Sequence, residues 1–154
     1  MKRRIFLKGS MTAGALGVAV GAGLLIPSVV LAAWPESAFK AKNVGDAMRE
    51  LTGFDAIEES GDIKVKAPDI AENGAVVPIS VTTSISGVES ISIVAPSNPS
   101  PLVASFALGA GSQGYASTRI KMGKSGDVIA VVKAGGKLYS AKKGVKVTIG
   151  GCGG

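Results

Sequence analysis

From Ile63 to Ile149, apolar residues recur at every second position in short runs broken by turn residues, and this pattern constrains the fold more than any other feature. Successive side chains of a strand point to opposite faces, whereas a helix needs its apolar residues three and four apart. Ile63-Lys64-Val65-Lys66-Ala67 alternates cleanly and stops at Pro68. Further runs follow at 76–83, 91–95, 102–108, 115–122, 127–134, 137–143 and 144–149, with a glycine-rich loop at 109–114. In the last run Val145, Val147 and Ile149 share one side, and Lys146 and Thr148 share the other. Asn-Gly, Gly-Gly, Ser-Gly-Asp and Lys-Lys-Gly turns separate these runs, which predicts an all-β antiparallel sandwich of seven or eight strands. Pro78, inside a run, cannot donate to a ladder and implies an edge or a bulge. The proline-rich stretch 96–101 reads as a crossover between the two sheets.

One short helix precedes the strands, after a proline-containing apolar lead-in at 34–39. Asn43 suits an N-cap, Asp46 in the first turn complements the helix dipole, and Gly53 supplies a stop. Val44, Ala47, Met48 and Leu51 make one apolar face. A sandwich of about 100 residues with one helix can bury a self-sufficient core, so the chain needs no disulfide staple. It has none to make, since it contains a single cysteine, Cys152, and no histidine. That composition excludes a Cys/His metal cluster and any Ser–His or Cys–His catalytic pair.

The formal charge of +6 is spread unevenly over the 154 residues. Residues 1–33 hold Lys2, Arg3, Arg4 and Lys8 and no acid, so little excess basicity is left for a nucleic-acid surface. Residues 34–100 carry five basic and ten acidic side chains, and residues 101–154 carry eight and one. Either the fold has two faces of opposite sign or the charges interleave once it forms; the sequence leaves both open.

Lys2-Arg3-Arg4-Ile5-Phe6-Leu7-Lys8, followed by an uncharged glycine-diluted stretch, is similar to a twin-arginine export signal. Pro27 and the small residues Ala32 and Ala33 predict cleavage near position 33, giving a signal peptide at 1–33, an immunoglobulin-like β-domain at 34–149 and a short C-terminal arm at 150–154. The competing expectation is an uncleaved anchor, since about 20 apolar residues can span a bilayer. The expected location is the periplasm, with the chain exported already folded.

The sequence closes on Gly150-Gly151-Cys152-Gly153-Gly154. A lone cysteine is commonly a small buried hydrophobe, but four glycines offer nothing to bury this one, and glycine maximises backbone freedom. Three residues extend about 10 Å at 3.3–3.6 Å each, so a bulk-free arm can thread a narrow channel. Thiols are activated by nearby cations or helix N-termini. The nearest cation in sequence is Lys146, so activation is expected from whatever site receives the arm. This is the chemistry of a covalent handle, with no cofactor and no catalytic residue of its own.

The Gly-Gly-Cys-Gly-Gly segment and the twin-arginine leader resemble the SoxY family of sulfur carriers in bacterial thiosulfate oxidation. The likeness includes Trp34-Pro35, the strand Val77-Pro78-Ile79-Ser80-Val81 and the stretch Asn98-Pro99-Ser100-Pro101-Leu102. It implies an immunoglobulin-like sandwich that forms a heterodimer with a small all-β subunit of the SoxZ type. It also implies sulfur species bound covalently to Cys152. The implied partners are a haem enzyme that couples thiosulfate to the thiol, a hydrolase that releases sulfate and, in many systems, a dehydrogenase that oxidises the remaining sulfur. Two readings compete with it. One is a Gly-Gly carboxylate sulfur carrier, which needs ATP that an exported protein does not meet. The other is a structural or adhesive module dimerised by its cysteine. An enzyme is disfavoured, because the 109–114 loop lacks the Lys-Ser/Thr of a phosphate loop and Asp127 has no evident carboxylate partner.

Overall fold

The computed structural model describes residues 35–54 and 56–148. They form two short helices, α1 (Glu36–Lys40) and α2 (Val44–Thr52), and nine strands. The strands are β1 (Ile57–Glu59), β2 (Ile63–Lys66), β3 (Ile70–Ala71), β4 (Val77–Thr83), β5 (Val88–Val94), β6 (Leu102–Ala107), β7 (Tyr115–Ile120), β8 (Gly126–Ala134) and β9 (Lys137–Val147). They build an immunoglobulin-like β-sandwich. One sheet runs β1-β9-β8-β5-β6, with β3 also on β9, and the other runs β2-β4-β7.

Period-two patterning decides which side chains meet between the sheets. Val77, Ile79 and Val81 of β4, Ile91 and Ile93 of β5, and Val128, Ala130 and Val132 of β8 are buried in one cluster. The intervening β8 residues Ile129 and Val131 face outward yet are covered, because Ala47 and Met48 of α2 and Ala38 of α1 pack there with Val94, Leu102 and Leu138. That cover explains why β8 reads as an almost unbroken apolar run: both of its faces are buried. Within the larger sheet the buried Ser92 is satisfied by Ser105, Oγ to Oγ 3.0 Å.

The expected helix is present with its signals in place. The Asn43 side chain accepts from Asp46 N at 2.8 Å, and Gly53 ends the helix at φ 79°. The lead-in contains a helix of its own, α1, opened by Phe39 N donating to Pro35 O. Five residues are too few for an apolar period to register.

Four expectations change. Residues 96–101 are a hairpin loop inside one sheet rather than a crossover: Ala95 N donates to Pro101 O, Asn98 N donates to Ala95 O, and β5 pairs antiparallel with β6. The runs 137–143 and 144–149 include one continuous strand, β9, because Gly144 sits in register with Asp127 without breaking the ladder. The sandwich also contains two parallel pairings, β1 and β3 each lying along β9. The chain there alternates between sheets, with β2 and β4 in one and β1 and β3 in the other.

Pro78 is in the central strand of its sheet but at a locally unpaired point. Thr83 N donates to Gly114 O on the β7 side, so strand alternation puts the Pro78 nitrogen on the β2 side. There β2 has already ended, its Lys66 lying opposite Ser80. The missing donor therefore costs no ladder bond.

The charge asymmetry resolves as interleaving on the larger sheet. Lys137 and Lys142 of β9 pair with Glu58 and Glu59 of β1, Lys143 with Asp69, and Lys133 of β8 with Glu89. The parallel β1/β9 pairing brings the acids of one half beside the lysines of the other.

Candidate functional site

Cys152 and its flanking Gly150, Gly151, Gly153 and Gly154 lie outside the described residues. The structure defines the platform from which that segment departs, which is the end of β9 and the loops around it. Thr148, the last described residue, donates from its N to Ala71 O at 3.1 Å, and Lys146 N donates to Asp69 O at 2.9 Å. Asp69, just before β3, and Ala71 of β3 thus hold Lys146 and Thr148 in line at the end of β9.

From the other side, the Ser125 hydroxyl accepts from Val147 N at 2.8 Å and lies 3.3 Å from Val147 O, where it donates. Ser125 belongs to the β7–β8 loop, which is fixed in turn by Asn98. The Asn98 amide donates to Lys121 O at 2.7 Å, and its carbonyl accepts from Gly123 N at 3.0 Å. A polar relay therefore runs from the proline-rich loop through 121–125 to the root of the arm. The neutral side chains satisfy backbone groups that no ladder reaches.

Gly74 closes the same platform. Met122 N donates to Gly74 O at 2.7 Å, and a Cβ on residue 74 would lie 2.5 Å from Met122 O and 2.7 Å from a Val147 methyl. Only glycine lets the 72–76 loop come this close to both β9 and the β7–β8 loop.

The electrostatics around the root are predominantly basic. Lys121, Lys124 and Lys146 are exposed, and none enters an ion pair among the described residues. Lys143 is engaged by Asp69; its hydrogen bond first, and then its charge, hold the Asp69 carboxyl below the usual carboxylate range. A shallow open groove lined by Asn98, Pro99, Ser100, Val103, Lys121 and Gly123 borders this end. Among the described residues no three His, Cys, Asp or Glu come together as a metal would need. None of the helices there is long and apolar enough to cross a membrane.

The platform residues Ser125, Asn98, Gly74, Asp69 and Ala71 were not singled out as site residues by sequence reasoning. β3 is two residues long and carries no period, and Ser125 is one serine among many until β9 is laid beside it. Asn98 had a visible signal, the Asn-Pro-Ser-Pro context, but it marked a loop rather than a clamp.

The model of the family described as sulfur oxidation protein SoxY matches residues 48–152, about two thirds of the chain, and its span includes Cys152. The solved structure of the sulfur carrier protein SoxY from Chlorobium limicola f thiosulfatophilum is 50% identical, with a TM-score of 0.62. That likeness covers 68% of this chain and 94% of that one. A superoxide reductase (neelaredoxin) from Ignicoccus hospitalis overlaps at a TM-score of 0.49 and 19% identity, over 56% of this chain and 80% of that one, too little to carry an argument. No curated protein matches the sequence. A family match across most of the sandwich and on through the cysteine, with 50% identity to a solved member, settles membership: the chain belongs to the SoxY family.

Proposed function

We propose that this protein carries sulfur intermediates of thiosulfate oxidation covalently on the Cys152 thiol and presents them to partner enzymes in the periplasm. The observation that carries this reading is the reach of the SoxY match to position 152, where the chain has its only thiol. The platform supports it. Thr148 is tied down, and Cys152 follows four residues later, so the thiol travels at most about 13–14 Å from a fixed root at 3.3–3.6 Å per residue.

Loading forms a bond between the Cys152 sulfur and the outer sulfur of thiosulfate. The thiol proton and two electrons leave, the electrons passing to a haem enzyme. Water then cleaves the sulfur–sulfonate bond under a hydrolase, releasing sulfate and leaving a persulfide, which a dehydrogenase oxidises further where one is present. The carrier supplies no base and no metal to these steps; its contributions are the tether and the platform. A SoxZ-type subunit completes the carrier as a heterodimer, and the twin-arginine leader exports the folded chain.

Intact-mass measurement of the exported protein, after exposure to thiosulfate with the coupling enzyme, tests this. A sulfur-bearing adduct is expected, removed by reductant and absent in Cys152→Ser. An unmodified wild-type thiol, or an adduct that survives in Cys152→Ser, overturns the assignment. A merely dimerising cysteine would give a disulfide dimer and no adduct.

A further inference from the structure

The outward face of the three-stranded sheet has no part in the arm platform, and its charges behave differently from those of the larger sheet. Of the lysines in the larger sheet, 133, 137, 142 and 143 are ion-paired, and Lys146, at the end of β9, is the exception. Lys64 and Lys66 of β2 and Arg119 of β7 are exposed and enter no ion pair among the described residues. No outward position of β2, β4 or β7 carries an acid; the nearest in sequence, Asp62, lies in the turn before β2, within hydrogen-bond reach of the Ser84 hydroxyl.

Register makes this a continuous surface. Lys66 lies opposite Ser80, which lies opposite Ser117; Lys64 lies opposite Thr82, which lies opposite Tyr115; Arg119 lies opposite Pro78. With strands about 4.8 Å apart and outward residues about 7 Å apart along each strand, the three cationic positions fall within roughly 17 Å of one another. Hydroxyls fill the space between them. Ser80 and Ser117 share a hydrogen bond at 3.0 Å, and Tyr115 is half exposed. The Ser117 and Ser80 hydroxyls, with the Lys66 charge, bring the Tyr115 phenol below its ordinary range.

We propose that this face is a docking surface for an acidic patch on a partner protein, engaged briefly through charge complementarity. Uncompensated cations at fixed spacing steer an oppositely charged surface and set its register. Three short strands offer a few hundred Å², well below the roughly 800 Å² per partner of a stable complex, so the encounter is transient. The composition favours protein over the other polyanions. Polybasic membrane segments carry about four to eight clustered Lys/Arg. A face with three cations set among Tyr, Ser and Thr suits a polar protein contact instead, where Tyr and Arg are enriched.

The test uses the full chain, isotopically labelled, with a ten-residue glutamate peptide as probe, and with anionic phosphatidylglycerol vesicles and a short DNA duplex in parallel. The expected result is saturable peptide-induced shifts in the amides of Lys64, Lys66, Ser117 and Arg119. Their affinity should fall about tenfold, or 1.4 kcal/mol, in Lys66→Gln/Arg119→Gln and weaken steeply with added salt. Lys137→Gln should leave the affinity unchanged. Both altered positions are exposed, and an unchanged amide spectrum elsewhere verifies the fold. Shifts centred on β8 and β9, an unaffected double variant, or tighter binding to vesicles or duplex would each overturn the proposal. Sulfur loading is not read in this experiment, so its outcome and that of the carrier assignment are separable.

Discussion

Asp69 is a small case of how position converts a surface acid into a structural one. Its backbone carbonyl accepts from Lys146 N beside the arm root, while its carboxylate holds Lys143. Because Lys143 lowers its pKa below the ordinary aspartate value of 3.8, the folded state binds this proton less readily than the unfolded chain does. The stabilisation is therefore fully present above about pH 3.8 and is lost as pH falls through the lower folded-state value. In Asp69→Asn, urea unfolding should show a modest deficit at neutral pH, as exposed pairs give, and the gap to wild type should close on acidification. A gap that widens at low pH would show that the pair does not act this way.

At the scale of elements, α2 explains most of what a single-face reading of the larger sheet would miss. Its N-cap and its glycine stop are local and were legible in sequence, but the surface it covers is not local at all. Met48 is fully buried and packs against Val94 of β5, Leu102 of β6, Val131 of β8 and Leu138 of β9. Met48→Ala removes apolar atoms from a site bordered by four strands that cannot collapse together. A loss of about 2–5 kcal/mol is expected in urea unfolding. A loss under about 1 kcal/mol, the range of exposed substitutions, would mean that the helix rests on the sheet without packing into it. The short strands show the opposite limit. β1 and β3 were invisible because three and two residues carry no period, and they exist because β9 offers them an open edge.

For the whole molecule, the proposed carrier role uses the sandwich as the base and the Gly150–Gly154 segment as the reach. The relay from Asn98 through Ser125 to Val147 fixes where the arm begins, so the arm's length sets which sites the thiol can enter. Deleting Gly150 and Gly151 brings Cys152 about 7 Å closer to Thr148 at the extended-chain rise. Such a variant should keep its thermal midpoint unchanged and lose at least about tenfold in the rate of enzymatic sulfur loading, measured by intact mass over time. Undiminished loading would show that the partner site does not require the reach.

Alternation from Ile63 onward and the Asn43 and Gly53 caps were sufficient to predict a β-sandwich with the helix α2. They are local signals, carried by the dihedral and burial preferences of each residue and its near neighbours. Tertiary structure alone decided that 96–101 is a hairpin and that 137–147 is one strand. It also decided that β1 and β3 lie parallel on β9, so that acids and lysines far apart in the chain become neighbours. Those outcomes depend on which edges remain open after the first strands pair, a property of the assembled sheets that no window of sequence contains. The single thiol among glycines is plain in the sequence; the hydrogen-bonded loops around the end of β9 are not, because Asn98, Gly74 and Ser125 acquire their partners only when the loops meet.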